Sequence, residues 1–329
     1  MSNQVELGIV GLGHVYDWQV KAIDLMGELH VVGGTDVDRE KASKLSSGRF
    51  FDSVDELLSS NIDAVLVSSP PATHHAIATK ALEAGKDVLL EKPAALDQDE
   101  LSDLYARARS TGRLLVVAFH AAFAADVRWV VAALETGELD YHGGLDVVRM
   151  SFFDPYLTPT GINPAHRALG GSWIDSGINA LSVLASIVTH VTLVEARATV
   201  VPQVGELDVA SVVDLAIADR NTGRRGVASI ETNWALGINR KTTTLRFVDG
   251  TAVLLDHSGQ RVVERPSDGS QRTLADFSQG PPRLVTHYVG VFQDFVKRLR
   301  QREDNEEFTR LTHQLLFEAR ASAIKFSMA

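Results

Sequence analysis

Five short apolar runs space out the first 120 residues: "VELGIV" at 5–10, "HVVGGT" at 30–35, "DAVLVS" at 63–68, "DVLL" at 87–90 and "LLVVAF" at 114–119. Runs of four to eight residues are too short for packed helices and too continuous for half-exposed strands. Amphipathic stretches such as "PATHHAIATKALEAG" separate them. This grammar predicts buried parallel strands with crossover helices, a doubly wound α/β sheet of the Rossmann type over residues 1–120. After "GGLDVVRMSFFDP" the pattern changes to strands punctuated by turns at Asn221–Gly223, Asp249–Gly250 and Ser258–Gly259. Residues 121–329 are therefore expected to form an α+β domain with a large, open, mostly antiparallel sheet. Two helices, about 283–302 and 306–326, close the chain, and the second is expected to return toward the first domain.

A chain of 329 residues with 45% hydrophobic content can fill two cores. The charge balance, 32 basic against 42 acidic residues, comes with no Lys/Arg block. That argues against nucleic acid and against an anionic membrane surface, and favours a small-molecule partner. No cysteine is present, so disulfides, thiolate nucleophiles and thiolate metal sites are excluded. The most apolar window, "LLVVAFHAAFAADVRWVVAAL", carries His120, Asp126 and Arg128 and fails as a span of about 20 apolar residues. The chain enters a strand pattern at once, with no secretory signal, and a cytoplasmic location is the expectation.

The first run delivers the chain into Gly11-Leu12-Gly13. Gly11 suits the tight turn, and Gly13 suits close approach of backbone to a pyrophosphate at the following helix. Tyr16 stands where a third small residue is usual, so a ligand-free glycine turn is the alternative. Asp36 ends the second run, 23 residues after Gly13. A carboxylate there accepts from an adenosine ribose and repels a 2'-phosphate, favouring NAD over NADP; an ordinary loop carboxylate beside Asp38 is the other reading. Three further polar punctuations follow strand ends: "SSPPATHH" (68–75), "EKP" (91–93) and "FH" (119–120). Ligands of such sheets bind outside the carboxyl ends of the strands. Alternatively, Lys92 is a solvated lysine, His74 begins a helix after a capping Thr73, and His120 is a core histidine.

"GLGHVY", "SPPATHH", "ALEAGKDVLLEKPAAL" and "GGSWIDSGINAL", in this order and spacing, resemble the glucose-fructose oxidoreductase, inositol dehydrogenase and rhizopine-catabolism (Gfo/Idh/MocA) family of NAD(P)-dependent sugar oxidoreductases. The closing "FTRLTHQLLFEARASAIKF" is similar to that family too. The resemblance implies cofactor contacts at Gly11, Gly13, His14, Val15, Asp36, Ser69, Pro70, His74, Glu91 and Lys92, and a substrate held between the two domains. It implies a catalytic Lys92, with a cis Lys92–Pro93 peptide, and a substrate-binding Asp175. Inositol dehydrogenases carry histidine four residues after that aspartate, where this chain has Asn179. The string "DSGINALS" is closer to bacterial L-arabinose and D-galactose 1-dehydrogenases, and His120 resembles theirs, but Ala122 stands where they have arginine.

The chemistry implied is oxidation of an aldose C1 hydroxyl to a lactone. A lysine in a dry crevice beside a positive ring approaches the roughly 7 to 8 pKa range useful for a base. Lys92 is the preferred proton-transfer group, Asp175 binds hydroxyls, Asn179 both donates to and accepts from the sugar, and His120 is the reserve base. The loop 154–167, "DPYLTPTGINPAHR", brings Tyr156 and His166 forward as substrate-selecting candidates. Against this, a carboxylate placed as Asp175 is also what a first-turn helix cap looks like. Chemistry at another carbon, by a ketosugar reductase or inositol-type dehydrogenase, and a cofactor-binding regulator without turnover are the competing functions. A homo-oligomer, dimer or tetramer, is expected by family analogy.

Overall fold

The computed structural model describes residues 4–139 and 143–327. The chain forms two compact units, one made of Met1–His120 with Leu284–Arg310, the other of Ala121–Arg283 with Leu311–Ala329.

In the first unit, strands β1 (Val5–Val10), β2 (Leu29–Thr35), β3 (Arg49–Phe50), β4 (Ala64–Val67), β5 (Asp87–Glu91) and β6 (Leu115–Ala118) form one parallel sheet. Their order is β3-β2-β1-β4-β5-β6. β4, β5 and β6 are buried along their whole length, as a sheet covered on both faces requires. The order reverses direction between β1 and β4, which places a crevice beyond their carboxyl ends. Helices α1 (Tyr16–Ile23), α2 (Val54–Leu58), α3 (His74–Glu83) and α4 (Gln98–Thr111) make the crossovers. α4 starts under Asp97, whose side chain accepts from the Glu100 N–H, and stops at Gly112 with φ of +64°.

Most of the long helix Arg283–Gln301 belongs to this unit, 163 residues after His120 on the chain. Tyr288 and Phe292 are buried on it. Beyond it, Asn305 completes the sheet edge: its Nδ2 donates to the Val117 carbonyl at 2.9 Å and its Oδ1 accepts from the Val117 N–H at 3.0 Å. A side-chain amide thus does for edge strand β6 what a further strand would do. Arg302 reaches both oxygens of Asp87.

In the second unit, helix α5 (Ala125–Glu135) precedes β7 (Leu145–Phe153). The small hairpin β8 (Leu157–Thr158) and β9 (Gly161–Ile162), the helical turn α6 (Pro164–Arg167), a π-helical turn Trp173–Gly177 and helix α7 (Ile178–Ile187) follow. Then come β10 (Val188–Val200), β11 (Asp208–Asp219), β12 (Arg225–Asn233), β13 (Arg240–Phe247), β14 (Ala252–Asp256), β15 (Arg261–Arg265) and β16 (Arg272–Asp276). With β17 (Ile324–Ser327) they make a nine-stranded sheet, ordered β16-β15-β14-β13-β7-β12-β11-β10-β17. The β7–β12 and β10–β17 pairs are parallel and the rest antiparallel. α7 is apolar all round and almost wholly buried, the mark of a core helix rather than a surface one.

The last helix is shorter than the sequence pattern predicts. Glu306–Ser322 is helical, and the chain then extends to pair Ile324–Ser327 with Arg197–Val200 of β10. The helical periodicity of "LFEARASAIKF" runs into β-branched and aromatic residues that suit a sheet edge equally well.

The Asn305 amide makes a direct prediction. Asn305→Asp removes the donor to the Val117 carbonyl and faces that oxygen with a carboxylate. Urea unfolding should show a loss of about 1–3 kcal/mol, and an unchanged midpoint would show that the edge is held by other means.

Candidate active site

The turn after β1 is built around Gly11, at φ of +95°. A Cβ at Gly11 would stand 2.6 Å from the Ser69 nitrogen, so the backbone of the two crossing strands' loops leaves room only for hydrogen. A Cβ at Gly13 would meet nothing within 4 Å. Gly13 is therefore not forced by the protein's own packing, and the open space above it is a cradle that a pyrophosphate can fill. His14 is exposed and Val15 half-buried in the same turn. Val15 precedes α1 with no side chain capping the helix. Tyr16 is buried, and burial holds its phenol above the ordinary value.

Asp36 lies just past β2 and is firmly oriented. Its Oδ2 accepts from the Leu12 N–H at 2.8 Å, its Oδ1 from the Asp38 N–H at 2.9 Å, and Lys41 Nζ lies 3.1 Å from both oxygens. Burial opposes ionisation, but these donors hold the carboxyl below the usual range. Next to it Val37 is fully exposed. Neither Val37 nor Lys41 stands out in the sequence, since only the side chains' directions distinguish them from ordinary loop residues.

Ser69 and exposed Pro70 follow β4. His74 is completely buried, with Nδ1 2.7 Å from the Pro93 carbonyl and Nε2 2.7 Å from the Ser69 carbonyl. It joins the loop after β4 to the loop after β5, and burial lowers its pKa. Thr73 does not cap α3 as the sequence suggests. Its hydroxyl donates to the Pro70 carbonyl and to Ser69 Oγ, a local bond that competes with capping.

Glu91 and Lys92 end β5, and Lys92–Pro93 is cis. Glu91 is 6% exposed, and its Oε1 accepts from Tyr288 Oη at 2.6 Å and Gln19 Nε2 at 2.9 Å. Its Oε2 accepts from the Lys92 N–H at 3.2 Å. Gln19 in turn accepts from Ser68 Oγ. Burial pushes the Glu91 carboxyl above the ordinary carboxylate range, against the pull of Tyr288 and Lys92. Half-buried His120 begins a short helical turn after β6. Its Nδ1 faces His287 Nδ1 at 3.3 Å, and its ring lies 5.5 Å from that of Tyr288. One of the two facing nitrogens carries the proton, so His120 Nδ1 is engaged by its neighbour. Tyr288 and His287 come from the far end of the chain, and no local signal in the sequence links them to "EKP".

In the second unit, Asp175 and Asn179 sit where the π-helical turn enters α7. Asp175 is half-buried, the only residue of Trp173–Gly177 that is not buried. The carboxylate that meets the start of the turn is Asp208, which accepts from the Trp173 N–H at 2.7 Å and from Ser172 Oγ at 2.6 Å. The capping role open to Asp175 in the sequence thus falls to Asp208. Asn179 is 8% exposed; its Nδ2 donates to the Asp175 carbonyl at 3.1 Å, and its buried Oδ1 has no partner. One of the two amide N–H groups is thus bound to the backbone, and the oxygen offers an acceptor.

Tyr156 stacks on His166 with ring centroids 3.8 Å apart and meets Trp234 edge-on. Burial, then Asp175 and Asp154, raise the Tyr156 pKa. His166 lies in α6, which Asn163 caps by accepting from the His166 N–H. Leu157 and Ile162 pin the 154–167 loop to Val201, Val204 and Val209. Lys241, absent from the sequence reading, forms a buried pair with Asp154 at 2.6 Å.

A parallel sheet ordered β3-β2-β1-β4-β5-β6, a glycine turn with an open cradle and an oriented Asp36 at the next strand's end are the features of a dinucleotide-binding Rossmann fold. Residues 5–119 match the model of the Gfo/Idh/MocA family, described as an oxidoreductase family with an NAD-binding Rossmann fold. Along most of its length the chain is similar to the uncharacterized oxidoreductase YrbE of Bacillus subtilis, 24% identical over 85% of this chain and 87% of that protein. It is 33% identical to UDP-N-acetylglucosamine 3-dehydrogenase of Acidithiobacillus ferrooxidans over 33% of this chain and 35% of that one. With inositol 2-dehydrogenase 1 of Saccharopolyspora erythraea it shares 36% identity over 35% of this chain and 36% of that enzyme. A crystal structure of a 3-ketoreductase from Actinomadura kijaniata with NADP and TDP-benzene shares the fold across 99% of this chain and 100% of that one, with a TM-score of 0.83 and 19% identity. No helix among the described residues is long and apolar enough to cross a membrane.

The Glu91 network carries a pH dependence. Burial raises the native carboxyl's pKa above its unfolded value, so the unfolded chain releases the proton first and stability falls as pH rises from the unfolded value through the native one. Tyr288→Phe removes a donor from the charged form. It should cost about 1–3 kcal/mol at alkaline pH and less under mildly acid conditions, by urea unfolding at both. A loss independent of pH would place the effect outside Glu91.

Proposed function

We propose that this protein is an NAD-dependent sugar dehydrogenase that oxidises the C1 hydroxyl of an aldose to a lactone, as L-arabinose and D-galactose 1-dehydrogenases do. The bound nicotinamide supplies the hydride acceptor. The observation that carries the reading is Asn179: a buried amide oxygen without a partner, next to the half-buried Asp175, is a site for a hydroxyl donor. Neither the amide nor a second base is needed to titrate there, because an anomeric hydroxyl is more acidic than an ordinary alcohol. Asp175 accepts from a neighbouring hydroxyl, and Tyr156 with His166 lines the sugar's apolar side.

Lys92 takes the hydroxyl proton. Its backbone is fixed on one side by the Glu91 carboxylate and on the other by His74 at the Pro93 carbonyl. A proton carrier must hold its position to within a fraction of an ångström of the reacting group. His120 is the weaker candidate, since one of its nitrogens is committed to His287. Gly11, Gly13, His14 and Val15 receive the pyrophosphate, Asp36 the adenosine ribose, and Ser69, Pro70 and His74 line the nicotinamide side. The orientation of Asp36 supports NAD; Lys41 beside it is the one feature that favours a 2'-phosphate. A second reading, oxidation or reduction at C2 or C3 of a cyclitol or nucleotide-linked sugar, is favoured by the named inositol and UDP-N-acetylglucosamine dehydrogenases among the relatives. Assembly as a dimer or tetramer belongs to the same proposal.

Appearance of reduced nicotinamide with a panel of aldoses, myo-inositol and UDP-N-acetylglucosamine separates the readings. Turnover of an aldose to its lactone supports the first; turnover only of the cyclitol or nucleotide sugar supports the second; NAD binding without turnover in either direction sinks both. Lys92→Met should lower kcat by about 10² to 10⁴ with NAD affinity little changed. Full activity in that variant, and its loss in His120→Ala, would move the proton to His120.

Asp36→Ala should lower the preference for NAD over NADP by about tenfold or more, the effect of about 1.4 kcal/mol. An unchanged ratio of kcat/KM values would remove Asp36 from cofactor selection.

A further inference from the structure

The turn that carries Asp175 is not an ordinary helix start. Trp173–Gly177 is π-helical and runs without a break into α7. A π turn holds one more residue than an α turn, is rare, and lasts only where its surroundings hold it. Here the surroundings are three strands of one sheet. At its beginning, Asp208, the first residue of β11, gathers three donors on one oxygen: Ser172 Oγ at 2.6 Å, the Trp173 N–H at 2.7 Å and Ser211 Oγ at 3.1 Å. Gly171 lets that carboxylate in, since a Cβ there would stand 2.3 Å from Asp208 Oδ1.

At its end, Ser176 Oγ donates to Asp154 Oδ2 at 2.9 Å, directly after β7, and Trp234 Nε1 lies 3.4 Å from the same hydroxyl. The other oxygen of Asp154 takes the ammonium of Lys241, from β13, at 2.6 Å. Lys241 also reaches Asn239 Oδ1 and the Phe153 carbonyl, so its three N–H groups each meet an acceptor. Across the middle, the Trp173 ring lies against Gly177, where a Cβ would come within 2.5 Å of Cε3, and its Nε1 donates to the Leu316 carbonyl. Asp208, Asp154, Trp234 and the Leu316 carbonyl are directed at Ser172, Trp173 or Ser176, and Lys241 holds Asp154. Asp175 is the half-buried residue of the turn.

We propose that Asp208 and the Asp154–Lys241 pair are positioning residues, which hold Trp173–Gly177 in its π register and thereby set Asp175 beside the unpartnered Oδ1 of Asn179. This rests on the reading of Asp175 and Asn179 as hydroxyl binders. Relaxation to α geometry would tighten the turn by one residue and shift Asp175 around and along the axis relative to Asn179 by a fraction of a turn. The two residues would still share a broad face, as i and i+4 do, but the spacing between the Asp175 carboxylate and Asn179 Oδ1 would change, while α7 and the sheet stayed folded.

Asp208→Asn and Ser176→Ala test this, each alone and in an Asp175→Asn background, with NAD affinity measured alongside kinetics on the aldose turned over fastest in the panel above. Either single change should raise the sugar KM at least about tenfold, with kcat less affected and NAD affinity unchanged. In the Asp175→Asn background the further loss should be under about twofold, because both substitutions act through the same side chain. Amide hydrogen exchange over residues 173–179 needs no substrate and should rise at least about tenfold in either variant, with the rest of the chain unchanged. Additive losses in the double variants, or unchanged exchange in this segment, overturn the positioning role. If Asp175→Asn alone leaves the sugar KM unchanged, the hydroxyl-binding reading fails and this inference falls with it. If Asp175→Asn raises KM while Asp208→Asn and Ser176→Ala do not, only the inference fails.

Discussion

A buried carboxylate at the end of a parallel strand organises the nucleotide-binding unit. Glu91 takes a phenol from the long C-terminal helix, an amide from α1 and the N–H of the residue that follows it. Burying a carboxyl without such donors costs several kcal/mol, so the three elements are tied to one point. That point lies next to Lys92. The glycine turn above α1 and the lysine beyond β5 therefore share a common support, and the polar network sets geometry where an apolar core would only set proximity.

Five strands of the parallel sheet were legible as short apolar runs bounded by turns, whereas β3, the two residues Arg49–Phe50, makes no run to read. The meander was legible from its turn residues, Asn221 to Gly223 and Asp249–Gly250, where the backbone must reverse. The last strand was not, because "AIKFS" continues the preceding helix's composition and only a partner strand decides its state. Lys92, Asp36, Asp175 and Asn179 could be singled out by residue type and by their places at strand or helix ends. Their partners could not be: Tyr288 lies 197 residues from Glu91 and Asp208 lies 35 from Trp173, and nothing in a local window marks either.

The second unit shows how a large sheet can specify a small irregularity. Asp208 opens β11, Asp154 follows directly after β7, and Lys241 in β13 holds Asp154, so three strands of one sheet converge on the same short segment. A register slip of one residue in any of them would turn its side chain to the opposite face. The long antiparallel ladders are thus a ruler for a five-residue turn, and their length has a purpose beyond burying area.

The amide of Asn305 closes the open edge of β6, yet on the chain it follows Ala121–Arg283, the larger part of the second unit. While the chain is being synthesised, residues 1–120 emerge first and wait for the segment that covers their last strand and supplies the phenol for Glu91. During that interval an unpaired strand edge and a buried acid lacking one of its donors are both available for wrong contacts. The nucleotide-binding unit begins the chain and is among the last parts of it to be finished, so a truncated product ending near residue 283 should be the species that chaperones and proteases meet.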